Sequence, residues 1–183
     1  MYADAIKVRE AREQYFIANG FSDATYREDW ARIKLGPVPV VFPNTKSRKE
    51  ALPIHDLHHI ATGYSTTIEG EGEIAAFEIG GGCGRYAAAW LINAGGFALG
   101  LVTNPRKIFR AFVRGRHSRN LYREGFRDSL LDLSVAELRK RVGTDTATPV
   151  ATGQDKLAFV AWCFAVSWPV SLAMLAVGVV LAR

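Results

Sequence analysis

The residues best suited to chemistry lie close together. His55-Asp56-Leu57-His58-His59 holds three of the chain's four histidines, and Gly70-Glu71 follows a short distance on. On a helix, positions 55 and 59 are four apart and share one face, so both imidazoles can grip a single ion. Asp56 stands about 100° round the helix axis. From there it reaches the ion sideways or fixes one imidazole from behind. Gly63 ends that helix, so Glu71 must arrive from a second one. Two imidazoles with one or two carboxylates make a borderline N/O set that suits Zn²⁺, Fe²⁺ or Mn²⁺. The histidines fall near the expected start of their helix, whose positive end disfavours imidazolium and leaves neutral nitrogen for a cation. A lone HxxxH is weak evidence; three histidines and an aspartate in five residues are much less readily dismissed. His58 also lies near the His55 face, and its role stays open.

Helices must position these groups. Residues 4–18 read as a first helix stopped by Asn19-Gly20, and Ser22 reads as the cap of a second over 23–33. Pro37, Pro39 and Pro43 impose an extended connection. Pro53 suits a first helical turn, which predicts the histidine helix from about Leu52 to Gly63. Further helices are expected over 69–79, which carries Glu71, then over the uncharged 86–103 and the basic, amphipathic 106–122. Ser134-Val135-Ala136-Glu137 is a capping box for a short helix ending at Gly143. The run Gly80-Gly81-Gly82-Cys83-Gly84 marks a hinge or a close helix contact. Sustained period-2 alternation is almost absent, so the fold class is all-α.

These residues resemble the coenzyme Q (ubiquinone) biosynthesis protein 4 family. The family's mark is His-Asp-x-x-His, eleven residues, then Glu, and here His55-Asp56-x-x-His59 is followed by residues 60–70 and Glu71. Thr62-Gly63, Gly70, the Ala/Leu-rich segment and Arg114-Gly115-Arg116 extend the likeness over roughly residues 20–142. The resemblance implies a mainly helical, membrane-associated protein that binds polyprenyl lipid. It implies metal ligands at His55, Asp56, His59 and Glu71, with Asp56 and Glu71 as groups able to shuttle protons. The implied reaction replaces the C1 carboxylate of a polyprenylated 4-hydroxybenzoate-type ring by hydroxyl, in company with other quinone-biosynthesis enzymes. A zinc, iron or manganese ion is the implied cofactor, and a homodimer is compatible with it. Two other functions fit the same residues: a non-catalytic polyprenyl-lipid scaffold with a structural metal, and a metal hydrolase of a phosphorylated isoprenoid.

The tail departs from that pattern. Leu157 to Ala182 contains 26 consecutive residues without Asp, Glu, Lys, Arg or His. As a helix it would be about 39 Å long, enough for a hydrocarbon core of about 30 Å. The expected organisation is therefore a helical domain over 1–143, a linker over 144–153 and a membrane-anchoring helix over 154–183. Lys and Arg concentrate upstream of the tail, which keeps the main domain on the cytoplasmic face. From Arg106 to Arg127 there are eight Lys/Arg and one acid, Glu124, interleaved with aromatic residues. Arg106, Lys107, Arg110, Arg114 and Arg116 are the candidates for holding an anionic headgroup. Nucleic acid is not expected, since no recognised binding motif accompanies the charge.

Composition sets the outer bounds. With 49% hydrophobic and 22% charged residues, wholesale disorder is excluded. The net charge of +5 points to an anionic partner. Cys83 and Cys163 form no CxxC and read as apolar thiols in a reducing compartment. The charged opening stretch lacks the apolar core of a secretory leader.

Overall fold

The structure, a computed structural model, describes residues 2–35 and 38–181, the side chains of 25, 32–35, 38–40, 42 and 168–181 excepted. The chain is mainly helical. Its order is α1 (Val8–Asn19), a 3₁₀ turn (Asp23–Tyr26), β1 (Trp30–Leu35), β2 (Val38–Pro43), α2 (Lys46–Thr62), α3 (Ile68–Gly81), α4 (Ala87–Thr103), α5 (Pro105–Arg116), two further 3₁₀ turns, α6 (Val135–Val142) and α7 (Gly153–Leu181).

Two expectations need correction. The helix expected over 23–33 is a single 3₁₀ turn followed by a strand, which pairs antiparallel with β2, Trp30 opposite Pro43 and Leu35 opposite Val38. The prolines hold β2 extended, and its free backbone groups take a partner from the adjacent chain. The histidine helix also begins earlier than expected. Thr45 is its N-cap, accepting from the Arg48 N–H, and Pro53 lies inside the helix. His55, His58 and His59 therefore sit deep in α2, with His59 in the last turn. The argument from the helix N-terminus fails for them; their environment is made by neighbouring side chains.

α3 is the central rod, and glycine lets its neighbours approach at backbone distance. A Cβ on Gly96 of α4 would stand 2.9 Å from the Ala75 Cβ, and one on Gly72 would stand 3.1 Å from the Gly100 Cα. On the other side, a Cβ on Gly115 of α5 would stand 2.9 Å from the Phe77 Cα. The small residues of 86–103 thus serve close helix packing, while Gly95 faces open space. Around this rod, Ile54, Leu57 and Ile60 of α2 pack with Ile74, Phe77, Leu121 and Leu138 in one core. Phe97, Ile108 and Phe112 form a second, covered by α7.

α7 begins docked. Val166 is buried, and Phe159 meets the rings of Phe97, Phe109 and Phe112 at 5.6, 4.9 and 5.4 Å. Trp162 stacks on Trp90 at 5.5 Å. The segment 144–153 is tied at both ends. The Thr144 hydroxyl donates to the Ala61 carbonyl, and Asp155 accepts from Arg116 at 2.6 Å and His117 at 3.0 Å. Among the described residues no helix is long and apolar enough to cross a membrane. The expected span Leu157–Ala182 runs beyond them at its end, and its side chains from 168 on lie outside the description.

Candidate metal centre

α2 and α3 bring His55, His59 and Glu71 together. Each offers one ligand atom, and these atoms lie within 4.8 Å of one another. The two Nε2 atoms are 3.1 Å apart, and Glu71 carboxylate oxygens stand 3.6 Å from His55 Nε2 and 3.5 Å from His59 Nε2. Bonds of about 2.0–2.1 Å at tetrahedral angles place ligand atoms roughly 3.3 Å apart, so the spacing suits a small divalent ion.

Glu71 is positioned by the start of its helix. Thr67 caps α3 by accepting from the Gly70 N–H, and the Glu71 N–H donates to the Thr67 carbonyl. Gly70 packs against Ser65, leaving no room there for a side chain. The glycine before Glu71 thus lets the α2–α3 connection fold tightly against the helix that carries the carboxylate. The Glu71 side chain is 43% exposed while that of His59 is 1% exposed, so the centre opens outward on the Glu71 side.

The outer partners fix the imidazoles. His59 Nδ1 lies 3.0 Å from the Tyr64 carbonyl, which can only accept. His55 Nδ1 lies 3.0 Å from the Glu78 carboxylate. With both Nδ1 atoms donating, the neutral rings turn two lone pairs towards each other across 3.1 Å. A shared proton or a cation must occupy that gap. The charges lean the same way. Burial alone would lower the His55 pKa, but Glu78 and Glu71 overcome it and raise it well above its ordinary value. Burial and the His55 charge lower His59 to about 4. Glu71 and Glu78 both stay below the ordinary carboxylate range, because His55 outweighs the desolvation that would raise them. In the metal-free protein a proton on His55 supplies the positive charge between these side chains; the donor set would fit a divalent metal in its place.

Asp56 and His58 point elsewhere. The Tyr15 hydroxyl donates to Asp56 Oδ1 at 3.3 Å, and the Tyr26 hydroxyl donates to Oδ2. Asp56 is absent from the cluster of ligand atoms, and its hydrogen bonds place it in a tyrosine cradle. Burial pushes its carboxyl up to about 6 against the opposing pull of His55 and the two hydroxyls. The same ring of Tyr15 stacks on His59 at 5.6 Å. His58 is fully buried, bonded to Glu78 through Nδ1 at 2.7 Å and accepting the Leu121 N–H at Nε2.

The basic candidates divide. Arg106, Lys107 and Arg110 are exposed on α5, Lys107 pairing with Glu69 at 3.1 Å. Arg114 donates to the carbonyls of Thr62 and Thr144 and lies over the Tyr64 ring, and Arg116 holds Asp155. Those two tie elements of the fold together. Sequence reasoning missed Glu78, Asn93 and the tyrosines 15, 26, 64 and 122. Glu78 alone had a visible signal: a charge inside the apolar run Ile74–Gly81, seven residues after Glu71.

A cavity of about 250 Å³ opens beside His59, lined by Tyr2, Tyr15, Asn19, Tyr64 and Thr66 among others. Compared with known proteins, the chain matches no protein-family model, no curated protein and no solved structure.

Proposed function

We propose that the protein is a metal-dependent enzyme of isoprenoid-quinone biosynthesis, acting on a polyprenylated 4-hydroxybenzoate-type ring. The observation that carries this reading is the His55–His59–Glu71 cluster, produced by the spacing His-Asp-x-x-His, eleven residues, Glu. When bound there, a zinc, iron or manganese ion supplies a Lewis acid for a carboxylate or phenolate oxygen. The chain's own groups do the rest. The cavity lined by Tyr2, Tyr15 and Tyr64 takes an aromatic head beside His59. It is smaller than the roughly 300–1,000 Å³ of a whole-ligand pocket, which suits a head whose tail lies elsewhere. Asp56, with a carboxyl near 6, exchanges a proton close to neutral pH through the Tyr15 hydroxyl. Loss of CO₂ leaves an electron pair at C1; installing a hydroxyl from water there releases one proton and passes two electrons to dioxygen as the oxidant.

The apolar run Leu157–Ala182 and the exposed Arg106, Lys107 and Arg110 support a place at a membrane surface on the cytoplasmic face, where polyprenyl substrates reside. Deleting the gene is expected to lower cellular quinone and accumulate a carboxylated precursor, measured by lipid mass spectrometry. Unchanged quinone and precursor levels, with no compensating gene, would refute the reading. Equal rescue by wild type and by stably expressed, metal-free His59→Ala would make the protein a lipid-presenting scaffold.

A further inference from the structure

We propose that Glu78 is the positioning residue of the metal centre: its buried carboxylate fixes the His55 tautomer and so decides which nitrogen faces the ion and Glu71. The inference rests on the metal reading above. Glu78 stands seven residues after Glu71, two turns along α3 on the side that meets α2. It is fully buried. Its Oε1 accepts from His55 Nδ1 at 3.0 Å and from His58 Nδ1 at 2.7 Å. Its Oε2 accepts from Asn93 Nδ2 at 2.5 Å and from the Tyr122 hydroxyl at 3.0 Å.

An ionised carboxylate only accepts, so His55 must carry its hydrogen on Nδ1. His58 reaches the same state by a second route. The Leu121 N–H donates to its Nε2 at 3.1 Å, which leaves the ring hydrogen for Nδ1. One oxygen therefore holds two imidazoles, and only His55 goes on to the cluster with His59 and Glu71. A carboxylate behind a ligating imidazole makes the ring more basic and locks its orientation. His59 has only the Tyr64 carbonyl in that place, so His55 is the stronger of the two nitrogen ligands. A buried glutamate kept for stability alone would be served by any four donors; here one of them is itself a ligand in the cluster.

The test is a Co²⁺ titration of the full chain, followed by its visible absorption bands and by competition with a chelator. Glu78→Gln keeps the shape but removes the negative charge behind His55 and turns one oxygen into a donor, which the Tyr122 hydroxyl can accept but Asn93 Nδ2 cannot. Its Co²⁺ affinity is expected to fall about 10–100-fold, with a shifted spectrum. Tyr122→Phe removes a donor from Oε2 and leaves the His55 bond, so it should lose stability while holding Co²⁺ close to the wild-type affinity. Wild-type affinity in folded Glu78→Gln overturns the proposal. So does an equal loss of affinity in both variants that tracks their stability. Should Glu78→Gln not fold, ¹⁵N NMR of the Zn²⁺-loaded wild-type imidazoles decides: His55 protonated on Nδ1 supports the proposal, and His55 protonated on Nε2 overturns it. Wild-type protein that takes up neither metal overturns the metal reading along with this one, whereas metal uptake indifferent to Glu78 overturns this one alone.

Discussion

Replacing Gly70 with alanine should disturb the candidate metal centre without touching any of its three candidate ligands. A Cβ there would stand 2.7 Å from the Ser65 carbonyl carbon, closer still to its oxygen, where ordinary contact begins at 3.4 Å. The obstacle is backbone, so it cannot rotate away, and α3 and the Ser65 turn must separate by about 0.7 Å or more. Overpacking of this kind costs about 1–3 kcal/mol. Glu71 is the next residue and must move with the helix start. A shift approaching 1 Å in one of three ligands should weaken Zn²⁺ binding by about tenfold or more, each tenfold being about 1.4 kcal/mol. Gly95→Ala is the matched control. Its Cβ meets nothing within 4 Å in the middle of α4, so the change should stabilise the helix by roughly 0.5–1 kcal/mol and leave the metal alone. Urea unfolding and Zn²⁺ competition with a chromophoric chelator measure both quantities. A Gly70→Ala protein with wild-type stability and wild-type Zn²⁺ affinity would refute the steric reasoning.

Three further outcomes are expected. Asp56 has its folded pKa raised to about 6, so the native state holds that proton more tightly than the unfolded chain; its stabilisation is complete below an unfolded value of about 3.9 and lost as pH rises through 6. Asp56→Asn should therefore flatten the fall in metal-free stability between pH 4 and 7, a change of up to about 3 kcal/mol at 1.4 kcal/mol per pH unit, read from urea midpoints across pH. Asp155 has the opposite sign: burial would raise its carboxyl, but bonds from Arg116, His117 and Thr152 hold it well below the carboxylate range. Its stabilisation is present above about pH 4 and lost as acid titrates it, so Asp155→Asn should be less stable at pH 6 and should lose less on going to pH 2, by circular dichroism. Phe159→Ala opens the contact with Phe97 and Phe112 and should cost about 2–4 kcal/mol; an unchanged melting temperature would show that α7 does not cover that core.

The His55–His59–Glu71 cluster and the capping box of α6 could be read from residue spacing because both are local. Ser134 and Glu137 satisfy each other's backbone within one turn, and His55 and His59 share a face whatever the helix packs against. The start of α2 was less legible, since Pro53 imitates a first-turn proline and hides the true cap at Thr45. β1 was hidden for a different reason. Its charge order suits a helix, and only pairing with the proline-held β2 makes it a strand. The cradle of Asp56 draws Tyr15 and Tyr26 from elements far back in the chain, and the Glu78 network draws Asn93 and Tyr122 from far ahead. No periodicity along the sequence records contacts of that range.

The order of these partners along the chain gives assembly a direction. The three candidate ligands fall between residues 55 and 71, on two helices joined by a short turn, so bringing them together costs little loop entropy. The carboxylate that holds His55 follows at residue 78, but its remaining donors arrive only with Asn93 and Tyr122. Until then Glu78 is a partly unsatisfied charge with no reason to be buried. The candidate ligands are thus close neighbours in the chain, while the network that satisfies the carboxylate behind His55 is complete only once residues 93 and 122 are in place.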